Sequence, residues 1–143
     1  MEGRDGVFEW PIRVEAADID RQGHVNNVVY LRYAQDVAVE HWKTSPSEFQ
    51  AAFAWVARRH EIDYLRPAYL GDALVARTWV GVPEGARFAR FVEIVRRPGG
   101  EVVARVRTDW VALDPVRWRP KRIPLDLYQS VFGQGGPEGW GPA

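Results

Sequence analysis

The sequence predicts an α+β domain in which a curved antiparallel sheet of about five strands wraps one long central helix. Three observations carry this reading. Between residues 30 and 42 the apolar positions (Tyr30, Tyr33, Ala34, Val37, Ala38, His41, Trp42) recur at three- and four-residue steps, the spacing of one helix face. Around this stretch lie segments whose periodicity falls to two, the mark of strands. The last two of them flank a Pro- and Gly-rich reversal, which makes them antiparallel neighbours. A sheet that is apolar on one side needs a cover, and the 30–42 helix is the one element large enough to provide it.

Taken in order, the first strand follows from the alternation of Phe8, Trp10, Ile12 and Val14. After the long helix, residues 44–48 (TSPSE) carry turn chemistry, and Ser45 or Ser47 is a suitable cap for a short second helix. Residues 56–65 form the next strand, which Pro67 and the Gly71–Asp72 pair bring to an end. Residues 74–82 follow, with Leu74, Ala76, Thr78 and Val80 on one face and Val75, Arg77 and Trp79 on the other. Residues 83–86 (PEGA) turn the chain. The hairpin pairs residues 88–96 with 102–113 across RPGGE, and Val102, Ala104, Val106, Thr108 and Trp110 share its apolar face. The expected organisation is a single domain over residues 1–132 and a flexible Gly- and Pro-rich tail over 133–143.

Composition narrows the function. The chain has 143 residues, 46% of them hydrophobic, enough to bury one core. Nineteen basic residues balance nineteen acidic ones, so no net field draws nucleic acid or an anionic membrane. Cysteine is absent, which excludes disulfides, thiolate metal sites and a thiol nucleophile. His24, His41 and His60 are far apart and lack ligand spacing, so no metal site is expected. No apolar run approaches the roughly 20 residues that span a bilayer. The expected setting is the cytoplasm.

The chemistry concentrates in residues 18–27 (DIDRQGHVNN), a polar loop between the first strand and the helix. Asn26 and Asn27 suit a helix cap, and Asp18 and Asp20 suit the positive end of the helix, roles that contribute about 0.5–2 kcal/mol each. A helix start also offers unpaired N–H groups that stabilise developing negative charge. A carboxylate loop feeding such an end has the parts of an acyl-transfer site.

The run DIDRQGHVNNVVY resembles the signature of hot-dog-fold thioesterases, most of all the 4-hydroxybenzoyl-CoA thioesterase-like branch and, more distantly, the plant acyl-carrier-protein thioesterases. Residues 62–72 (IDYLRPAYLGD) and 119–124 (RPKRIP) are similar to the same family, so the resemblance covers roughly residues 8–130. It implies the hot-dog fold reached above from pattern, and hydrolysis of acyl-CoA or acyl-carrier-protein thioesters to a free acid and a thiol. It also implies a homodimer or homotetramer with the site shared between subunits.

By the same resemblance Asp20 is the catalytic carboxylate, acting as general base or nucleophile. The backbone N–H of Asn27 would polarise the thioester carbonyl, an interaction worth about 2.7–4 kcal/mol in the transition state. Gly23 would allow close substrate approach or a positive φ. His24 matches a histidine of the plant catalytic network. Gln22 stands where those enzymes carry Asn, and their glutamate has no counterpart near Pro67, so a one-carboxylate site is the simpler reading. Asp18 is read as a loop-structuring residue. Asn26 and Tyr30 are the further candidates on the substrate side; Tyr30 sits on the apolar stripe, where core is its first reading and a hydroxyl reaching the site the second.

Coenzyme A would enter as part of the substrate, and no separate cofactor is expected. Its phosphates call for basic groups, and residues 117–122 (RWRPKR) are the densest basic run, which reads first as a solvated basic loop and second as a phosphate contact through Arg119 and Lys121, with Trp110 and Trp118 nearby to flank an adenine. Arg87 and Arg90 are weaker candidates on the facing hairpin arm. Phe53, Trp55, Tyr64 and Trp79 read as core that also has the size to shape an acyl pocket. Two other readings belong to different classes: a noncatalytic hot-dog module that binds acyl thioesters, which Asp20 argues against, and a hot-dog hydratase or dehydratase, which the GHVNN run argues against.

Overall fold

The computed structural model describes residues 6–132; the tail expected over 133–143 lies outside them. Five strands form one antiparallel sheet: β1 (Phe8–Arg13), β2 (Ala54–Tyr64), β3 (Ala73–Val80), β4 (Arg87–Arg97) and β5 (Glu101–Leu113), in the spatial order β1-β3-β4-β5-β2. The sheet packs on a single long helix, α1 (Asn27–Trp42), in an α+β hot-dog arrangement.

Helix α1 forms where the apolar period places it. Val29, Tyr30, Tyr33, Ala34, Val37, Ala38 and His41 are its buried residues, one continuous stripe against the sheet. Asn26 is the N-cap: its backbone is extended (φ −62°, ψ 140°), and its side-chain oxygen accepts the Val28 N–H at 3.1 Å. Asn27 is therefore the first helical residue. At the other end the chain turns out of the helix as the hydroxyls of Thr44 and Ser45 donate to the carbonyls of His41 and Trp42.

Two elements depart from the sequence reading. The short helix α2 (Ser47–Ala52) begins after Pro46, and neither serine caps it. Ser45 instead belongs to the end of α1, and proline suits a helix start because it lacks an N–H. A third helix, α3 (Leu125–Val131), is absent from that reading. Leu127, Tyr128, Val131 and Phe132 turn inward from it onto Phe53, Val80, Phe88 and Ala112, closing a second apolar cluster. Burying Leu127, Val131 or Phe132 contributes roughly 1.5–3 kcal/mol each.

The sheet faces follow period two with two interruptions, one between Ala57 and Arg59 of β2 and one in β4. Leu74, Ala76, Thr78 and Val80 of β3 are all buried towards α1, as the alternation requires. Register shifts between Ile94 and Val95 of β4, and at that irregularity both Val103 and Ala104 of β5 are fully buried. The outer face is half polar: Trp79 stacks on Phe91 (6.0 Å, 19°), and Glu93 is held between Arg77 (3.5 Å) and Arg105 (3.3 Å). Long arginine stems cover apolar surface there while their heads pair with carboxylates.

Candidate active site

The loop between β1 and α1 is tightly closed by its own backbone. Ile19 and Val25 form an antiparallel bridge, the Asp20 N–H donates to the His24 carbonyl (2.9 Å), and the Gly23 N–H donates to the Asp20 carbonyl (3.1 Å). That turn requires Gly23 to take φ +88°, while a Cβ there would meet no atom within 4 Å. Conformation, not crowding, selects glycine. Val25 N–H donates to the Ala68 carbonyl (2.8 Å), which ties the loop to the segment after β2.

Asp18 anchors the loop, the structuring role expected of it. It is 2% exposed, and its carboxylate accepts from the Glu15 N–H (2.9 Å), Arg32 (2.7 Å) and the Tyr33 hydroxyl (3.0 Å). Burial by itself would raise this carboxyl's pKa, but the three donors outweigh it and hold the group below its ordinary value. Tyr33 responds in the opposite sense: burial first, then its bond to the Asp18 carboxylate, carry its hydroxyl well above the usual tyrosine value.

Asp20 sits one turn further on and is partly open, with a quarter of its side chain exposed. One carboxylate oxygen accepts the Gln22 N–H (2.9 Å), and the other lies 3.7 Å from Nδ1 of His24. His24 in turn lines a cleft of about 200 Å³ with Val25, Asn27, Tyr30, Tyr64 and Arg66. Asp20 itself is not part of the lining; its carboxylate lies 3.7 Å from His24, which is. Among the described residues the Asn27 backbone N–H has no acceptor, since Asn26 directs its side chain to Val28 and its carbonyl to Val29.

The opposite wall comes from the end of β2. The Tyr64 hydroxyl donates to the Asn27 carbonyl (3.1 Å), and its ring meets that of Tyr30 edge-on at 5.7 Å. Tyr64 is half exposed and thus belongs to the cleft, whereas Phe53 and Trp79 are plain core. Tyr30 is 3% exposed, and burial chiefly raises its hydroxyl pKa, against a bond from the Ala68 backbone. Arg66, paired with Glu101 at 3.4 Å, places a cation on the cleft wall. It escaped the sequence reading although it lies within the 62–72 segment that carried the resemblance.

The basic run lies elsewhere. Lys121 donates to the Ala52 carbonyl (2.8 Å) and sits 4.4 Å over the Phe53 ring, near the C-terminal end of α1 rather than the Asn27 end. Arg119 is exposed in the same segment, and its carbonyl accepts the Asp114 N–H. Trp118 is exposed, while Trp110 faces a second cavity. Arg90 is only 3% exposed and turned inward, so it is no phosphate contact at a pocket mouth. Among the described residues no group of three or more acidic or histidine side chains is poised to hold a metal. Nor is any described helix long and apolar enough to cross a membrane.

A five-stranded antiparallel sheet packed on one helix, with a carboxylate loop delivered to that helix's N-terminus, defines a hot-dog protein of the thioesterase type. The model of the thioesterase-like superfamily matches residues 14–131, and the chain belongs to that superfamily. The acyl-CoA thioester hydrolase YbgC of Escherichia coli is 25% identical over 125 residues, covering 85% of this chain and 92% of YbgC. A thioesterase from Thermus thermophilus, solved with coenzyme A and zinc, is 26% identical with a TM-score of 0.76, covering 93% of this chain and 98% of that one. The 12:0-ACP thioesterase of Umbellularia californica shares the fold at 17% identity, with a TM-score of 0.75 over 94% of this chain and 52% of its own.

Proposed function

We propose that this protein hydrolyses acyl-CoA thioesters to the free acid and coenzyme A, with Asp20 as the catalytic carboxylate and the Asn27 N–H as the donor to the thioester oxygen. The observation that carries the reading is the junction itself: a closed loop sets Asp20 and His24 beside a helix start whose Asn27 N–H is unclaimed and borders a cleft. As general base, Asp20 takes a proton from water while the oxygen adds to the thioester carbon. The resulting oxyanion lies at the Asn27 N–H and the positive end of α1. Collapse breaks the C–S bond, and the proton on Asp20 passes to the departing thiolate. As nucleophile, the same carboxylate forms an acyl anhydride that water then cleaves, with the same overall balance. The Gln22 N–H orients the carboxylate at 2.9 Å, and His24 lies beside it at 3.7 Å. Gly23 keeps the loop turned, and Asn26 and Tyr30 fix the helix start and the cleft floor.

Coenzyme A phosphates find a cation at Arg66 on the cleft wall of the same chain. Arg119 and Lys121 lie towards the far end of α1, so they serve the leaving group of this cleft only across a subunit boundary. The eleven-residue β2 is an edge strand of the sheet, which suits the homodimer or homotetramer that this requires. One observation favours the noncatalytic binding module instead: His24 lines the cleft and Asp20 does not.

Hydrolysis of an acyl-CoA panel from acetyl to palmitoyl, with benzoyl and phenylacetyl, by wild type and Asp20→Asn decides between the two. The expected result is turnover by the wild type and a loss of at least about a hundredfold in the variant, close to 3 kcal/mol of transition-state stabilisation. Turnover indifferent to the substitution would remove Asp20 from the mechanism. Thioester binding without turnover of any panel member would leave the binding module. The same panel with acyl-carrier-protein thioesters distinguishes the two carriers.

A further inference from the structure

Six arginines on the strands (Arg59, Arg77, Arg96, Arg97, Arg105 and Arg107) each lie 2.8–3.3 Å from a carboxylate. Arg117, Arg119 and Arg122, exposed on the segment between β5 and α3, pair with none among the described residues. Lys121 directs its ammonium to the Ala52 carbonyl and adds a fourth charge. Residues 115–122 (PVRWRPKR) thus hold four cations and no acid. At their base Asp114 turns its carboxylate onto the Val116 and Arg117 N–H groups (2.9 Å each), and Asp126 faces the Leu127 N–H (3.0 Å). The adjoining 83–87 turn, bonded through the Gly85 carbonyl to the Ile123 N–H (2.9 Å), adds Glu84 and Arg87 and so no net charge.

The tip is also strained. The Asp114 N–H donates to the Arg119 carbonyl and the Trp118 N–H to the Asp114 carbonyl (2.8 Å each), while Pro120 bridges back to Leu113. This closure sets Trp118 at φ +57°, the one described non-glycine residue in the left-handed region, where a bulky side chain is disfavoured. Its indole is 60% exposed and makes no hydrogen bond or ring contact with any described residue. Val116 is 91% exposed and Leu125, just beyond, 63%. No contact among the described residues offsets the strain. Its effect is to hold a tryptophan and a valine out among cations.

We propose that this tip docks on anionic phospholipid bilayers, with Trp118 and Val116 entering the interface and the three arginines meeting lipid phosphates. The chain carries no net charge, so the attraction is local and acts within a Debye length of about 10 Å. Guanidinium groups match phosphate geometry, and each basic residue close to an anionic leaflet strengthens binding about fivefold. Tryptophan settles at headgroup level because its ring is apolar and its N–H is not. Single-stranded nucleic acid calls for several aromatic faces beside the cations, and here the prominent neighbours of Trp118 are aliphatic. The surface belongs to the C-terminal end of α1, away from the candidate active site, and docking transforms nothing. It therefore stands apart from the hydrolase reading.

The test is co-sedimentation of the full chain with sucrose-loaded vesicles of phosphatidylcholine, with and without an equal share of phosphatidylglycerol, at about 0.05 and 0.5 M salt. Binding is expected on the anionic vesicles at low salt, and at least about tenfold weaker on neutral vesicles or at high salt. Arg117→Gln with Arg122→Gln should weaken it at least about tenfold. Trp118→Gly suits the positive φ, so it should leave Tm unchanged or raised while weakening vesicle binding. Equal binding to both vesicle types, no binding at about 1 mM lipid, or binding indifferent to these variants would overturn the proposal. A lowered Tm in Trp118→Gly would do the same, because the indole would then be packing within the molecule. So would displacement from vesicles by about 1 mM coenzyme A, a nucleotide contact, or tighter binding of a single-stranded oligonucleotide through the same residues. Binding is read without turnover, so an inactive enzyme leaves this result standing and a protein that ignores vesicles leaves the hydrolase reading standing.

Discussion

Acid should destabilise this protein well above the pH at which carboxylates titrate, and His41 is the reason. Its ring is 3% exposed, stacked on Phe8 at 4.7 Å and edge-on to Phe132 at 5.3 Å. Nδ1 accepts from Arg90, and the backbone of Val131 takes the ring's remaining N–H, which fixes the neutral tautomer. Burial, then the neighbouring Arg90 charge, pushes the folded-state pKa down from 6.5 to about 3. The unfolded chain therefore binds a proton below pH 6.5 that the native state refuses until near pH 3. Its share of stability is fully present above pH 6.5 and declines as pH falls, by about 1.4 kcal/mol per unit once well inside that window. Between pH 7 and pH 5 the loss is about 2 kcal/mol, a large part of the roughly 5–15 kcal/mol typical of a domain. Asp18, also held low, titrates in the unfolded chain near 3.8 and contributes little in this range. Urea unfolding at pH 7, 6 and 5 measures the slope, and the His41 ring signals should stay neutral throughout. A flat profile, or a ring that titrates above pH 5 in the folded protein, would refute the argument.

Three further outcomes follow from the geometry. Tyr33→Phe removes a donor from the buried Asp18 carboxylate and should cost about 1.5–3 kcal/mol in denaturant unfolding, with the acid limb moved to higher pH. Gly23→Ala meets no atom, so its cost should be the left-handed backbone alone, about 1–2 kcal/mol by thermal unfolding, while a value near zero would mean the turn relaxes. Leu127→Ala should cost about 2–5 kcal/mol if α3 is an integral wall of the second cluster, and far less if α3 is peripheral.

Period and turn chemistry account for much of this molecule. The α1 stripe, the Asn26 cap, five strands within two residues of their ends, the inward row of β3 and the positive φ of Gly23 all follow from local sterics and from which side chains avoid water. The anchoring role of Asp18 was read from the loop as well, and the structure supplies its donors, the Glu15 N–H, Arg32 and Tyr33. Helix α3 was not, although Leu127, Tyr128, Val131 and Phe132 stand at helical spacing; seven residues after Pro124 are too short to stand on propensity, and burial against β4 and β5 holds them. The cleft depended on tertiary structure alone, because Tyr64 and Arg66 meet the Asn27 end of α1 only once β2 pairs with β5. So did Arg90. Sequence offers Arg90 as a weak phosphate contact on a hairpin arm; register with Val80 and Thr108 turns it inward beside His41. Local pattern reports that a face will be buried, but which side chains meet across it is set by the pairing of distant strands.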